Sequence, residues 1–252
     1  IDCDKKHVAM LYLSHPKILN KKNKNIEKIY NRLDKTIKEM ANCDKVTAII
    51  INMDYNLIDG DKLESLSYQI KKASEKKRVI IYTSYSYNMK SYITAVKSNA
   101  EIHLSKYGLM YLYDFHRDIQ DRTELLDKLK IKEKIFRVGT HKALGLHGFK
   151  DKEKIQEHLA NLTEASNKII KQYRPQVVID NELKNKITCY ADEALERKLI
   201  DKITPNIFIL AEEIKTATKA DKIVLYNQIK PRKKKKKSGL AKLLANFSSE
   251  IM

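Results

Sequence analysis

The chain has 252 residues, enough for one substantial core or two small ones, and 42% of them are hydrophobic, which excludes wholesale disorder. Its formal net charge of +18 raises nucleic acid or an anionic membrane as a partner, yet Arg232 and Lys233 to Lys237 supply six of those charges and leave +12 over residues 1–231. The diffuse remainder interleaves lysine with asparagine, with no aromatic-and-basic stripe and no nucleic-acid module, so it reads as a compositional bias and nucleic acid is not the expected partner.

Taken in order, His7-Val8-Ala9-Met10-Leu11-Tyr12-Leu13 is an apolar run of strand length closed by Ser14-His15-Pro16. A polar, lysine-rich loop follows over 17–25. Ile26, Ile29, Leu33, Ile37 and Met40 recur at three- and four-residue steps, which predicts an amphipathic helix over 26–40. Val46 to Met53 is apolar on both faces and β-branched, the pattern of a fully buried strand. Strand, helix and strand predict a parallel pair.

The pattern then repeats. After Asp59-Gly60, the residues Leu63, Leu66, Ile70 and Ala73 share one helical face, and Val79 to Tyr82 reads as a third strand. Ile102 to Leu104 and Ile135 to Val138 read as a fourth and a fifth. Beyond Phe149 the chain turns helical, over 155–173, 181–186, 192–198 and 207–218, with Pro175 and Pro205 as separators. This alternation predicts an α/β domain with a parallel-rich sheet flanked by helices and a helical C-terminal part.

No apolar run approaches the ~18 residues of a membrane span. The chain opens at Ile1 rather than methionine, the expected mark of a trimmed or processed product, so localisation is not readable from this end. Cys3, Cys43 and Cys189 are odd in number, widely spaced and without a CxxC pair, and are expected to be small core residues or bystanders.

The stretch Phe136-Arg137-Val138-Gly139-Thr140-His141-Lys142-Ala143-Leu144-Gly145-Leu146-His147-Gly148-Phe149 holds three of the six glycines. It places Lys142 at the exit of a short apolar run. In an apolar cleft burial disfavours the charged ammonium, which is what a lysine acting as general base toward a serine requires. Spacing alone leaves the other reading open, a solvated lysine in a lysine-rich chain. His141 and His147 flank it with no acidic ligand at metal spacing, so no metal site is expected.

Leu125-Leu126-Asp127-Lys128-Leu129-Lys130-Ile131 followed by Phe136 to Lys142 resembles the signal peptide peptidase A (protease IV) family, specifically the N-terminal repeat of its long, two-repeat form. The likeness runs back through Ile102-His103-Leu104-Ser105-Lys106-Tyr107-Gly108 and forward to Cys189 through Asp201. It implies the crotonase-like fold shared with Clp protease, with 1–225 as the lysine-bearing repeat and 226–252 as a basic linker or tail. Further, it implies that Lys142 is the catalytic base, supported by the turn residues Gly139 and Thr140, in a Ser/Lys dyad that hydrolyses cleaved signal peptides without a cofactor. Closed homo-oligomers that unite lysine and serine across repeats are also implied. So is a place at the cell membrane, peripheral or anchored by a segment upstream of Ile1, on the extracytoplasmic face.

One-repeat members carry Ser-Gly-Gly-Tyr at a helix start, and the aligned region here is Tyr82-Thr83-Ser84-Tyr85-Ser86-Tyr87-Asn88-Met89-Lys90-Ser91-Tyr92-Ile93. Without those glycines the approach of oxyanion-binding amides is obstructed. Ser84, Ser86 and Ser91 are therefore expected to be polar surface or capping residues, and the nucleophile is expected from a second repeat. Ala143, His147 and Gly148 also depart from the family's pattern after its lysine. This leaves a second class open, a catalytically inactive relative acting as an assembly or membrane-surface module. Acyl-CoA chemistry is disfavoured, because no paired backbone-amide glycine motif occurs.

Beyond Pro231, the basic block Arg232, Lys233, Lys234, Lys235, Lys236 and Lys237 precedes Leu240, Leu243, Leu244, Phe247 and Ile251 at helical spacing. That pairing suits an anionic membrane surface, where each cation contributes on the order of 1 kcal/mol; a solvated linker is the alternative. If the tail tethers the chain, deleting residues 231–252 abolishes sedimentation with anionic vesicles at low salt. Unchanged sedimentation makes it a linker.

Overall fold

In the computed structural model the described residues are 4–13, 26–54, 60–113, 123–131, 152–186 and 188–226. Six strands form one sheet: β1 (His7–Tyr12), β2 (Val46–Asn52), β3 (Arg78–Thr83), β5 (Glu101–Ser105), β8 (Lys202–Thr204) and β9 (Lys222–Leu225). Their order is β8-β5-β3-β2-β1-β9, with every neighbouring pair parallel. A second, three-stranded sheet joins β4 (Ser86–Asn88), β6 (Leu109–Tyr111) and β7 (Cys189–Tyr190). The helices are α1 (Ile26–Asn42), α2 (Gly60–Ser74), α3 (Met89–Lys97), α4 (Thr123–Lys128), α5 (Lys152–Tyr173), α6 (Asn181–Asn185), α7 (Ala191–Glu196) and α8 (Ile207–Ala217).

Parallel strands need a cover on each face, and the side-chain alternation of β1 to β3 delivers two apolar faces. Ala9, Leu11, Ile49, Ile51, Val79 and Ile81 look toward one core, completed by Leu33, Ile37 and Met40 of α1, Leu66 and Ile70 of α2, and Tyr92, Ala95 and Val96 of α3. Val8, Met10, Ala48, Ile50, Ile80 and Tyr82 look the other way, against Ile207, Leu210, Ala211 and Ile214 of α8. The parallel-rich α/β sheet flanked by helices, with a helical C-terminal part, is thus what forms. That C-terminal part also returns three short strands, β7 to β9, which periodicity did not announce. Two of them, β8 and β9, are the outermost of the described strands of the main sheet.

Polar contacts fasten the edges. Asp201 Oδ2 accepts from the Ile102 amide at 2.7 Å while both terminal nitrogens of Arg174 donate to its carboxylate at 2.6 and 3.0 Å, so the end of α5 is tied to β5. His103, buried in β5, has Nδ1 3.0 Å from Thr204 Oγ1 of β8. Gly108 lets β5 turn sharply into β6: its amide donates to Ser105 O at 2.9 Å, and a Cβ there would collide with the Leu104 side chain. Cys189 is buried, and burial pushes its thiol up to about 12, as befits an inert core residue. The expected strand over 135–138 and the tail beyond Tyr226 lie outside the described residues.

Arg78 of β3 grips Glu101 of β5 through two bonds, Nε to Oε1 at 2.6 Å and a terminal nitrogen to Oε2 at 2.8 Å. The Arg78 bond, and then one from His103, hold the Glu101 carboxyl at about 2. A depressed carboxyl adds stability above its unfolded value of about 4.3 and loses it as pH falls through its folded one. The Glu101 side chain is over a third exposed, so solvent screening limits the contribution to about 1 kcal/mol or less. Glu101→Gln is expected to be less stable than wild type at pH 6, with the difference shrinking as pH falls toward 2 and gone only below it, measured by urea unfolding; a difference as large at pH 2 as at pH 6 contradicts the assignment.

Candidate functional site

In a parallel sheet the loops at the carboxyl ends of the strands are where ligands gather. Here β2 ends at Asn52 and β3 at Thr83, side by side in register, since Asn52 pairs with Tyr82. Both strands are apolar along their length and turn polar on leaving the core, as Asn52-Met53-Asp54 and Thr83-Ser84. Asp54 is nevertheless only 7% exposed. Its carboxylate accepts from Thr83 Oγ1 at 2.5 Å, from the Ser84 amide at 2.6 Å, from Asn52 Nδ2 at 2.8 Å, from the Tyr85 amide at 3.3 Å, and from Ser84 Oγ. Burial first, and the negative charge of Asp54 as a smaller cause, raise the Tyr12 hydroxyl. Tyr82 is likewise raised by burial.

The turn over Ser84 and Tyr85 leads into β4, which leaves the main sheet. Tyr87 straps it down, its buried hydroxyl sharing its proton between Ile81 O and His103 O, each at 3.2 Å. At Asn88 the chain enters α3 through a reciprocal cap: Asn88 Oδ1 accepts from the Ser91 amide at 2.9 Å, and Ser91 Oγ accepts from the Asn88 amide at 3.0 Å. Two of the donors that a helix start leaves orphaned are thereby filled from within. Met89, the first residue of α3, is buried, as is Tyr92, whose hydroxyl donates to Leu199 O at 2.8 Å.

The serines divide accordingly. Ser91 is a buried capping residue, as expected. Ser84 is bound to Asp54, and half-buried Ser86 receives a long 3.5 Å bond on its carbonyl from Thr83 Oγ1. None presents a free hydroxyl beside a base among the described residues. Lys142, Gly139 and Thr140 lie outside those residues, as do His141, His147, Phe149 and the basic block Arg232 to Lys237. The leucine-rich segment ahead of Lys142 is described: its first half lies in α4 and the rest in the turn that follows, with Leu125, Leu129 and Ile131 exposed. No three His, Cys, Asp or Glu side chains among the described residues stand close enough to hold a metal ion, and no described helix is long and apolar enough to cross a membrane.

Asp54 is the polar centre that reading the sequence missed. The available signal was an Asn-x-Asp leaving a buried strand, opposite the Thr-Ser that leaves the next one.

No family model and no curated protein matches the chain. Solved structures of similar shape include a 1510-N membrane-bound stomatin-specific protease, determined as a mutant with a substrate peptide (14% identity, TM-score 0.43, covering 97% of this chain and 99% of that one). Another is an enoyl-CoA hydratase/isomerase family protein from Silicibacter pomeroyi (11% identity, TM-score 0.41, 76% and 71%). A third is an enoyl-CoA hydratase/isomerase (crotonase) from Legionella pneumophila (12% identity, TM-score 0.37, 88% and 80%). At such scores these likenesses carry no argument.

Proposed function

We propose that this chain is the lysine-bearing half of a membrane-associated serine peptidase that hydrolyses cleaved signal peptides, with Lys142 as general base and the serine supplied by a second repeat. The observation that carries the proposal is the ordered run from Leu125-Leu126-Asp127 through Phe136-Arg137-Val138-Gly139-Thr140-His141-Lys142. The described geometry supports it from the other side: Ser84 in the turn after β3 and Ser91 in the first turn of α3 are already engaged by Asp54 and Asn88. In this mechanism neutral Lys142 takes the proton from the serine hydroxyl as its oxygen attacks the scissile carbonyl, then returns it to the departing amine; water later releases the acyl group by the same route. Self-association that brings lysine and serine together belongs to the same proposal.

The same engaged hydroxyls, with Ala143, His147 and Gly148, favour a second reading: an inactive relative that keeps the fold as an assembly or membrane-surface module. Turnover separates the two. A fluorogenic peptide with a signal-peptide apolar segment is expected to stay uncut by this chain alone. It is expected to be cut when the chain is joined to a repeat bearing Ser-Gly-Gly-Tyr, with Lys142→Ala lowering kcat about 10²–10⁴-fold. Turnover that survives Lys142→Ala, or turnover by the isolated chain that Ser84→Ala abolishes, overturns the proposal.

A further inference from the structure

We infer that the β3–β4 turn is a carboxylate-binding nest and that Asp54 is its built-in occupant, the positioning residue that fixes the polar wall at the carboxyl end of the sheet. Five donors converge on two oxygens. Oδ1 takes Thr83 Oγ1, the Ser84 amide and the Tyr85 amide at 2.5, 2.6 and 3.3 Å; Oδ2 takes Asn52 Nδ2 at 2.8 Å and Ser84 Oγ. The Asp54 amide in turn donates to Asn52 Oδ1 at 2.9 Å, which fixes the residue from behind. Successive backbone N–H groups aimed at one point make a concavity that binds anions.

Asp54 is buried, and it takes part in no ion pair among the described residues. Among the described residues its partners are all neutral donors, and a buried carboxyl group is costly unless such donors point at it. Four of the five donors belong to Thr83, Ser84 and Tyr85, so the carboxylate dictates the path of that turn. From there β4 begins at Ser86 and α3 at Met89.

The consequence for chemistry rests on the peptidase reading above. A pair of adjacent amides at this end of the sheet is the kind of donor set that polarises a scissile carbonyl. Here Asp54 occupies it, which keeps this half from offering an oxyanion site of its own and leaves that role to the partner repeat.

The test is amide hydrogen exchange on the whole chain, followed by NMR, with Asp54→Ala and with formate as the probe. In the variant the Ser84 and Tyr85 amides are expected to exchange about tenfold faster or more, while Ile50 in the core of β2 is unchanged. Formate, a carboxylate the size of the missing group, is expected to restore their protection saturably, and chloride at equal ionic strength is not. A merely structural role gives no carboxylate-specific rescue. Unchanged exchange, or equal recovery with chloride, overturns the inference. Should the alanine variant not fold, Asp54→Asn, which keeps the volume but only one acceptor oxygen, is expected to raise Ser84 or Tyr85 exchange several-fold; no rise overturns it equally. No turnover enters this readout, so its failure leaves the peptidase proposal standing, and the reverse holds too.

Discussion

A strand that is apolar on both faces is stable only between two covers, and three such strands lie at the centre of this molecule. The constraint orders nearly everything else. Val8, Met10, Ala48, Ile50, Ile80 and Tyr82 commit one face to α8, and the alternate residues commit the other to α1, α2 and α3. With both faces taken, the polar groups of the central strands can emerge only at strand ends. At the carboxyl ends of β2 and β3 they meet one another, and the Asp54 cluster is the outcome.

That cluster has a functional reading because of what it closes. The turn amides point at Asp54, the start of α3 is capped by Asn88 and Ser91, and the side chain that opens α3 is Met89. Each of these is a place where a serine hydrolase would need an open donor or a free hydroxyl. All three are filled from within the chain, and it is on this ground that the proposal looks to another repeat for the nucleophile.

Much of the architecture was legible in the residues. Long, regular segments declared themselves: Val46 to Met53 as a buried strand, Leu33, Ile37 and Met40 as a helix face, and Ile207 onward as the closing helix. The small sheet was not legible, since β4, β6 and β7 have two or three residues each, too few to show a period, and β4 turns inward on Tyr87 alone. The edge strand β8 was hidden for a related reason. Lys202-Ile203-Thr204 is mostly polar because an edge is only partly covered, and its place is set by Asp201 and Thr204 reaching β5, contacts that span about a hundred residues. Asp54 was illegible because an acidic residue after a strand looks like any turn until the donors of the next strand are placed beside it. Lys142 is the opposite case. No periodicity marks it, and only the likeness of its neighbouring motifs singles it out.

The central claim is that Lys142 is a base and not one more solvated cation. Proton loss at its side chain, followed by NMR on ¹³C-methylated lysines with Lys142→Arg to assign the signal, tests this most directly. The account predicts that Lys142 gives up its proton at least about one pH unit below the ordinary lysine value of about 10.4. A midpoint at the ordinary value, shared with the other lysines, contradicts it.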